Sequence, residues 1–218
     1  MAKSAASTPL PPKFLDATLV TLKFGHGLKL HRVHDLAYGG SEFNASTKGN
    51  ARFSPITNTA GVLIPTLYAG TTLDCALMET IFHDLPFKAG FKSISKTRLD
   101  NKGHSILNPT AEFCLIDLSS VALRKLGIKR TQLIDTTKFH YPTTRLWAQA
   151  LYTQYPDAQG LRWISRQDDQ AHAFMFFGTR VTPSDLGWDD TSESLLIAGH
   201  AHLSVVDLAT RVGATLVY

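Results

Sequence analysis

Two cysteines in 218 residues, Cys75 and Cys114, are too few for a disulfide framework, and both sit in apolar contexts. That usage fits buried free thiols in a reducing compartment. No CxxC or HExxH spacing occurs, which argues against a dedicated metal site. Neither GxGxxG after a strand nor GxxxxGK(S/T) is present, so a bound nucleotide is not held through a Rossmann or P-loop turn. Long apolar runs are missing too. The N-terminal MAKSAASTPLPPKFLDA has no continuous apolar stretch of the kind a secretory signal needs, and no later run approaches a membrane span. A cytoplasmic protein with no membrane partner is expected. Charge is also scarce, at 18% against the roughly 25% of ordinary soluble domains. Some surface is then covered by a partner or by a second copy of the chain in a homodimer, or carries more Ser and Thr.

What is present points to one core. The length suits a single well-buried domain, expected over residues 17–218 behind a loose Ala-, Ser- and Pro-rich tail at 1–16. The net charge of +4 is mildly basic. Its densest group, Arg124, Lys125, Lys129 and Arg130, fits a solvated helix end at least as well as a phosphate-binding patch.

Alternating residues at 17–24 and 28–33 predict two strands around the turn Gly25-His26-Gly27. A short strand at 66–69 follows, then a helix over 72–84 opened by Thr71 and Asp74. Residues 91–99 alternate as a strand, 100–109 form a loop, and 113–118 and 171–177 are apolar strands. Short helices are expected at 120–126, stopped by Gly127, and from Pro142 to about Tyr155, the latter burying Leu146, Trp147, Ala150 and Leu151. Residues 161–166 make another strand, 184–194 a polar loop, and 203–212 a helix or strand, with 215–218 closing on a sheet edge. Strands outnumber helices without regular βαβ alternation, so the class is α+β: mixed, mainly antiparallel sheets with flanking helices.

In the expected 72–84 helix, Leu73, Ala76, Leu77, Thr80 and Ile81 make one buried stripe. Glu79 sits beside it with Cys75, Phe82 and His83 as neighbours three and four residues away. Asp74 is explained by the helix dipole; Glu79 is not. It is either a solvated or ion-paired edge or a carboxylate kept for chemistry. Arg32 ends a strand, as a surface charge or a planar fork for phosphate or carboxylate. Arg52 stands among small residues in a turn, and Tyr68 is a core ring or a binding surface.

Five blocks then appear in order: Leu30-His31-Arg32-Val33, Arg52-Phe53-Ser54-Pro55, Leu67-Tyr68-Ala69, Ala76-Leu77-Met78-Glu79-Thr80 and Trp163-Ile164-Ser165-Arg166. Together they resemble the RES domain family, named for an arginine, a glutamate and a serine. Departures are Ala51, where many members carry glycine, and the poorly matching segment 87–160.

The resemblance implies a fold like that of the ADP-ribosyltransferase toxins and cleavage of the nicotinamide–ribose bond of NAD, with NAD as substrate and no metal. It also implies the toxin of a type II toxin–antitoxin pair, restrained by an Xre-type antitoxin through which alone nucleic acid is contacted. The family reading makes Glu79, Arg32 and Arg52 catalytic. Arg32 and Arg52 hold pyrophosphate or an attacking inorganic phosphate, and Tyr68 and Ser165 contact substrate. Ser54, His83 and Arg166 are second-tier positions, and His83 also reads as a core histidine bonded to a backbone carbonyl. Water, phosphate or a protein side chain remain open as acceptors. Both a protein ADP-ribosyltransferase and a non-enzymatic partner- or nucleic-acid-binding module stand as alternatives.

Overall fold

A computed structural model describes residues 7–23, 27–86 and 88–217. The strands are β1 (Thr18–Leu22), β2 (Leu30–Asp35), β3 (Ile56–Thr57), β4 (Leu63–Ile64), β5 (Thr66–Gly70) and β6 (Lys92–Ser95). They continue with β7 (Lys102–Leu107), β8 (Phe113–Asp117), β9 (Gly160–Ile164), β10 (His172–Phe177), β11 (Glu193–Ser194) and β12 (Ala214–Val217). The helices are α1 (Leu73–Met78), α2 (Ser120–Lys125), α3 (Arg130–Leu133), α4 (Tyr141–Gln154), α5 (Pro183–Leu186) and α6 (His200–Arg211). The class is α+β, with a mainly antiparallel sheet and flanking helices.

Eight strands form the main sheet in the order β1-β8-β9-β10-β5-β2-β7-β11. Within it only β8 and β9 run parallel, and the crossover joining them carries α2, α3 and α4. Period-two alternation on β10 feeds two cores. Ala173, Met175 and Phe177 face one with Trp147, Leu151 and Trp163; Phe174 and Phe176 face the other with Leu30, Leu107 and Leu115. A third cluster joins α1 to α6 through Leu73, Leu77, Ile81, Phe82, Val205 and Leu208. Fully burying a side chain such as Phe82 or Leu77 stabilises the fold by roughly 1.5–3 kcal/mol, so α1 is fixed by packing more than by its six-residue length.

Several elements depart from the sequence expectations. β1 and β2 exist but do not pair: β1 lies on β8, while β2 pairs with β5 and β7 far across the sheet. Alternation marks a strand without naming its partner. The predicted turn between them includes Gly25 and His26, which lie outside the described residues. The expected loop at 100–109 contains β7, a six-residue strand paired with β2 along its length. Asn101, at φ 54°, makes the sharp entry that resembled a loop. The strand predicted over 91–99 stops at Ser95, whose hydroxyl accepts from the Thr97 N–H and starts a 3-10 turn.

Within 184–194, predicted as polar loop, lie the capping-box turn of α5 and the edge strand β11. Residues 215–217 pair in parallel with β6 in a separate two-stranded sheet. On α4, Leu146 is exposed while Thr144 and Ala148 are buried beside Trp147 and Leu151, a rotation of the predicted face. Residues 7–16 are tied down where a loose tail was expected. Trp147 Nε1 donates to Pro9 O at 2.7 Å, Thr8 Oγ1 to Gln132 O at 2.7 Å, and Tyr155 Oη to Leu15 O at 2.7 Å. Cys75 is buried and Cys114 half-buried, both as free thiols. Among the described residues no helix is long and apolar enough to cross a membrane.

Candidate active site

A cleft of about 900 Å³ is lined by residues of β2, β5, the 38–54 segment and α1, together with Tyr141 at the start of α4. Arg32, Arg52, Ser54, Tyr68, Glu79 and His83 all line it. Residues as far apart in the chain as Arg32 and Tyr141 therefore meet around one space large enough for a dinucleotide-sized ligand.

Glu79 is the C-cap of α1 and lies outside the helix interior expected for it. After Met78 the backbone tightens: the N–H groups of Thr80, Ile81 and Phe82 all point to Leu77 O, and Thr80 Oγ1 donates to Ala76 O at 2.6 Å. The α-helix ends there, and Thr80, placed on the buried stripe by its spacing, is exposed. The Glu79 side chain is 17% exposed, neither in bulk water nor sealed. One carboxylate oxygen, Oε1, accepts from Ser165 Oγ at 2.7 Å and from the Arg166 N–H at 3.3 Å. The other, Oε2, lies 4.0 Å from Arg52 Nη1, too far for a tight ion pair.

Arg52 is 4% exposed at its side chain, yet its Nε and Nη2 have no hydrogen-bond partner. Its guanidinium lies 5.7 Å from the Tyr141 ring centroid, a cation–π contact. The backbone beneath it is gripped by α4. Thr144 Oγ1 donates to Arg52 O, Arg145 Nε to Ala51 O at 3.1 Å, and Arg145 Nη2 to Asn50 Oδ1. Arg32 is also buried, but its Nη1 donates to Gly40 O and Glu42 O, both at 2.7 Å, so that part of its fork holds the loop. Gly40 is required there, because a Cβ would fall 2.6 Å from both Ser105 Oγ and the Trp188 indole nitrogen. Burial lowers the Arg32 pKa to about 10.

Tyr68 lies on β5 opposite Met175, and its ring meets Trp163 edge-on at 6.2 Å. Burial pushes its phenol up to about 12, and the hydroxyl has no partner in hydrogen-bonding geometry although Ser54 and Phe53 are close. Ser165, expected against substrate, is fully buried behind Glu79. Its hydroxyl donates to the carboxylate and accepts from the N–H groups of Gln167 and Asp168, which saturates it. Arg166 turns its side chain away to donate to Thr136 O at 2.8 Å, and reaches Glu79 only through its backbone. His83 bonds to side chains where a backbone carbonyl was expected: its Nδ1 is 3.0 Å from Asp84 Oδ1 and its Nε2 is 3.0 Å from Tyr141 Oη. Burial, with the Glu79 charge adding to it, pushes the Cys75 thiol up to about 12, so this cleft-lining cysteine is no nucleophile at neutral pH.

Sequence reasoning missed Tyr141, Asp84, Lys138, Thr144 and Arg145. Asp84 accepts from Lys138 Nζ at 2.7 Å and from Arg98 Nη2 at 3.1 Å; the Lys138 bond first, then His83, hold its carboxyl well below the usual range against the opposing effect of burial. The adjacent His83-Asp84 pair was a visible signal; nothing local marks Tyr141. Among the described residues no group of three or more His, Cys, Asp or Glu is placed to hold a metal ion.

The family model of the RES domain matches residues 29–188. The chain belongs to the RES domain family. All eight sequence-derived site residues of this RES chain fall inside the matched span, whereas β1, β11, α6 and β12 fall outside it. The fold is similar to that of a chain in the crystal structure of the M. tuberculosis MbcT–MbcA toxin–antitoxin complex, with a TM-score of 0.57 and 11% sequence identity. The likeness covers 83% of this chain and 88% of that one. No curated protein matches the sequence.

Proposed function

We propose that this RES chain cleaves the bond between nicotinamide and ribose in NAD and acts as the toxin of a toxin–antitoxin pair. The observation carrying the reading is the pairing of Glu79 with Arg52 on the cleft wall: a positioned carboxylate 4.0 Å from a buried guanidinium that still has two unpartnered nitrogens. Breaking an N-glycosidic bond to a cationic nicotinamide passes through an oxocarbenium-like ribose. A fixed negative charge beside the sugar lowers that barrier, because it is already oriented when the cation develops. Glu79, held by Ser165 and the Arg166 N–H, is that charge. Arg52 donates from Nε and Nη2 to a pyrophosphate or to an attacking inorganic phosphate, and Arg32 fixes the loop that forms the facing wall. Tyr68 supplies a flat apolar surface against which nicotinamide or ribose packs. Nicotinamide departs neutral, so this scheme assigns no step to a metal.

The toxin assignment draws on the RES family and on the complex in which the structural neighbour was solved. An Xre-type antitoxin covering the cleft accords with the low surface charge, and would be the route by which the protein meets nucleic acid. The test is nicotinamide release from NAD by purified, partner-free protein, followed chromatographically. Turnover is expected with the wild type. Glu79→Gln, which keeps the Ser165 bond but removes the charge, should lower it by at least about 10³-fold with an unchanged unfolding midpoint. Intact NAD after incubation with wild-type protein rejects the reading. Label transferred from NAD to a protein redirects it to ADP-ribosyltransferase chemistry.

A further inference from the structure

Three side chains on the cleft wall form a continuous hydrogen-bonded line. Asp84 Oδ1 is 3.0 Å from His83 Nδ1, and His83 Nε2 is 3.0 Å from Tyr141 Oη. All three residues line the same cleft as Glu79 and Arg52. The proton positions follow from donor and acceptor chemistry. Asp84, ionised beside Lys138 and Arg98, accepts only, so His83 carries its proton on Nδ1. In the form that carries only this proton, Nε2 presents a lone pair and the Tyr141 hydroxyl donates to it. Burial raises the phenol pKa, which keeps that proton on the oxygen until it is drawn away. With its hydrogen directed at His83, the Tyr141 oxygen can offer only lone pairs to a ligand.

We infer that Tyr141, backed by His83 and positioned through Asp84, is the general base that accepts a proton from a water nucleophile, making the enzyme a glycohydrolase. This rests on the N-glycosidic reading above and specifies its acceptor. As the bond from ribose C1′ to the nicotinamide nitrogen breaks, its electron pair leaves with nicotinamide. A lone pair of the water oxygen forms the new bond to C1′. One water proton passes to Tyr141 Oη while the tyrosine proton passes to His83 Nε2. The resulting imidazolium, beside the Asp84 carboxylate, releases its proton to solvent. Phosphate dianion attacks without losing a proton, so phosphorolysis would leave this line idle. Tyr141 and His83 are then catalytic residues in the transfer, and Asp84 is a positioning residue.

The decisive experiment uses Tyr141→Phe and, as a second variant, His83→Gln, with NAD in phosphate-free buffer, with and without sodium azide. Azide is an anionic nucleophile with no proton to lose. Hydrolysis by either variant should fall about 10²-fold, the size of a general-base contribution. Azide should then restore nicotinamide release at least about tenfold, with ADP-ribosyl azide as the product seen by mass spectrometry. A merely structural role gives a loss that azide does not repair, and that result overturns the inference, as does full hydrolysis by Tyr141→Phe. Wild-type release that requires added phosphate and yields a ribose phosphate also overturns it while leaving the N-glycosidic reading intact. No release by wild-type protein removes both.

Discussion

Arg32 and Arg52 face one cleft, are both less than a tenth exposed, and look interchangeable as letters. Their hydrogen bonds separate them. Arg32 gives Nη1 to two backbone carbonyls and thereby fixes the Gly40–Glu42 loop; Arg52 keeps Nε and Nη2 free while α4 immobilises its backbone. A buried cation with unmet donors costs stability, and the fold tolerates it where something else will satisfy those donors. Arg32 is therefore committed chiefly to the wall, whereas Arg52 keeps two donors unmet at the cleft.

The largest expected effect tests that contrast directly. Arg52→Ala should lower kcat/KM for NAD by about 10²- to 10³-fold while leaving the unfolding free energy within about 1 kcal/mol of wild type, measured by urea denaturation. Arg32→Ala should do the reverse. Two carbonyls lose a buried donor, at about 1–3 kcal/mol each, so stability falls first and activity follows it. Equal stability losses in the two variants would erase the distinction. Ser165→Ala comes next. With the 2.7 Å bond gone, Glu79 keeps the weaker Arg166 N–H, and kcat should drop about tenfold at constant KM.

The smallest effect is a pH dependence to which the Arg32 side contributes. Its strand β2 pairs with β7, and there His31 Nδ1 lies 2.9 Å from His104 Nε2. Burial lowers the His104 pKa from 6.5 to about 4, and the nearby His31 adds to the effect. Between those values the unfolded chain binds more protons than the folded one, so stability is complete above about pH 6.5 and is lost as pH falls toward about 4. Melting temperatures across that window should show the slope, and His104→Asn should reduce it, with His31, His34 and His172, whose pKa values burial also lowers, supplying the remainder.

The sequence exposed residues of the cleft wall more readily than the contacts that hold them. Glu79 stood out because a carboxylate among Cys75, Phe82 and His83 has no solubility role, and the structure does set it at the cleft wall. Arg52 and Tyr68 were visible through their motif blocks. What Ser165 touches was not legible, since its partner lies 86 positions away and a hydroxyl in a strand end reads the same whether it meets a ligand or a carboxylate. β7 was hidden by the polar Asn101-Lys102-Gly103 start, although its later residues are buried between β2 and β11. Tyr141 was hidden by distance: it meets His83 only because the β8–β9 crossover brings the first turn of α4 there.

That crossover grips the backbone around Arg52 at two main-chain oxygens, besides its side-chain contacts: Thr144 reaches Arg52 O and Arg145 reaches Ala51 O. Carbonyls are present whatever amino acid occupies a position, and any suitably placed donor can serve them equally well. A relative is therefore free to replace the letters of this segment while keeping its mechanical duty, so long as some N–H or O–H arrives at the same two oxygens. The part of the chain least recognisable as RES is, on this account, the vise that keeps its most recognisable arginine in place.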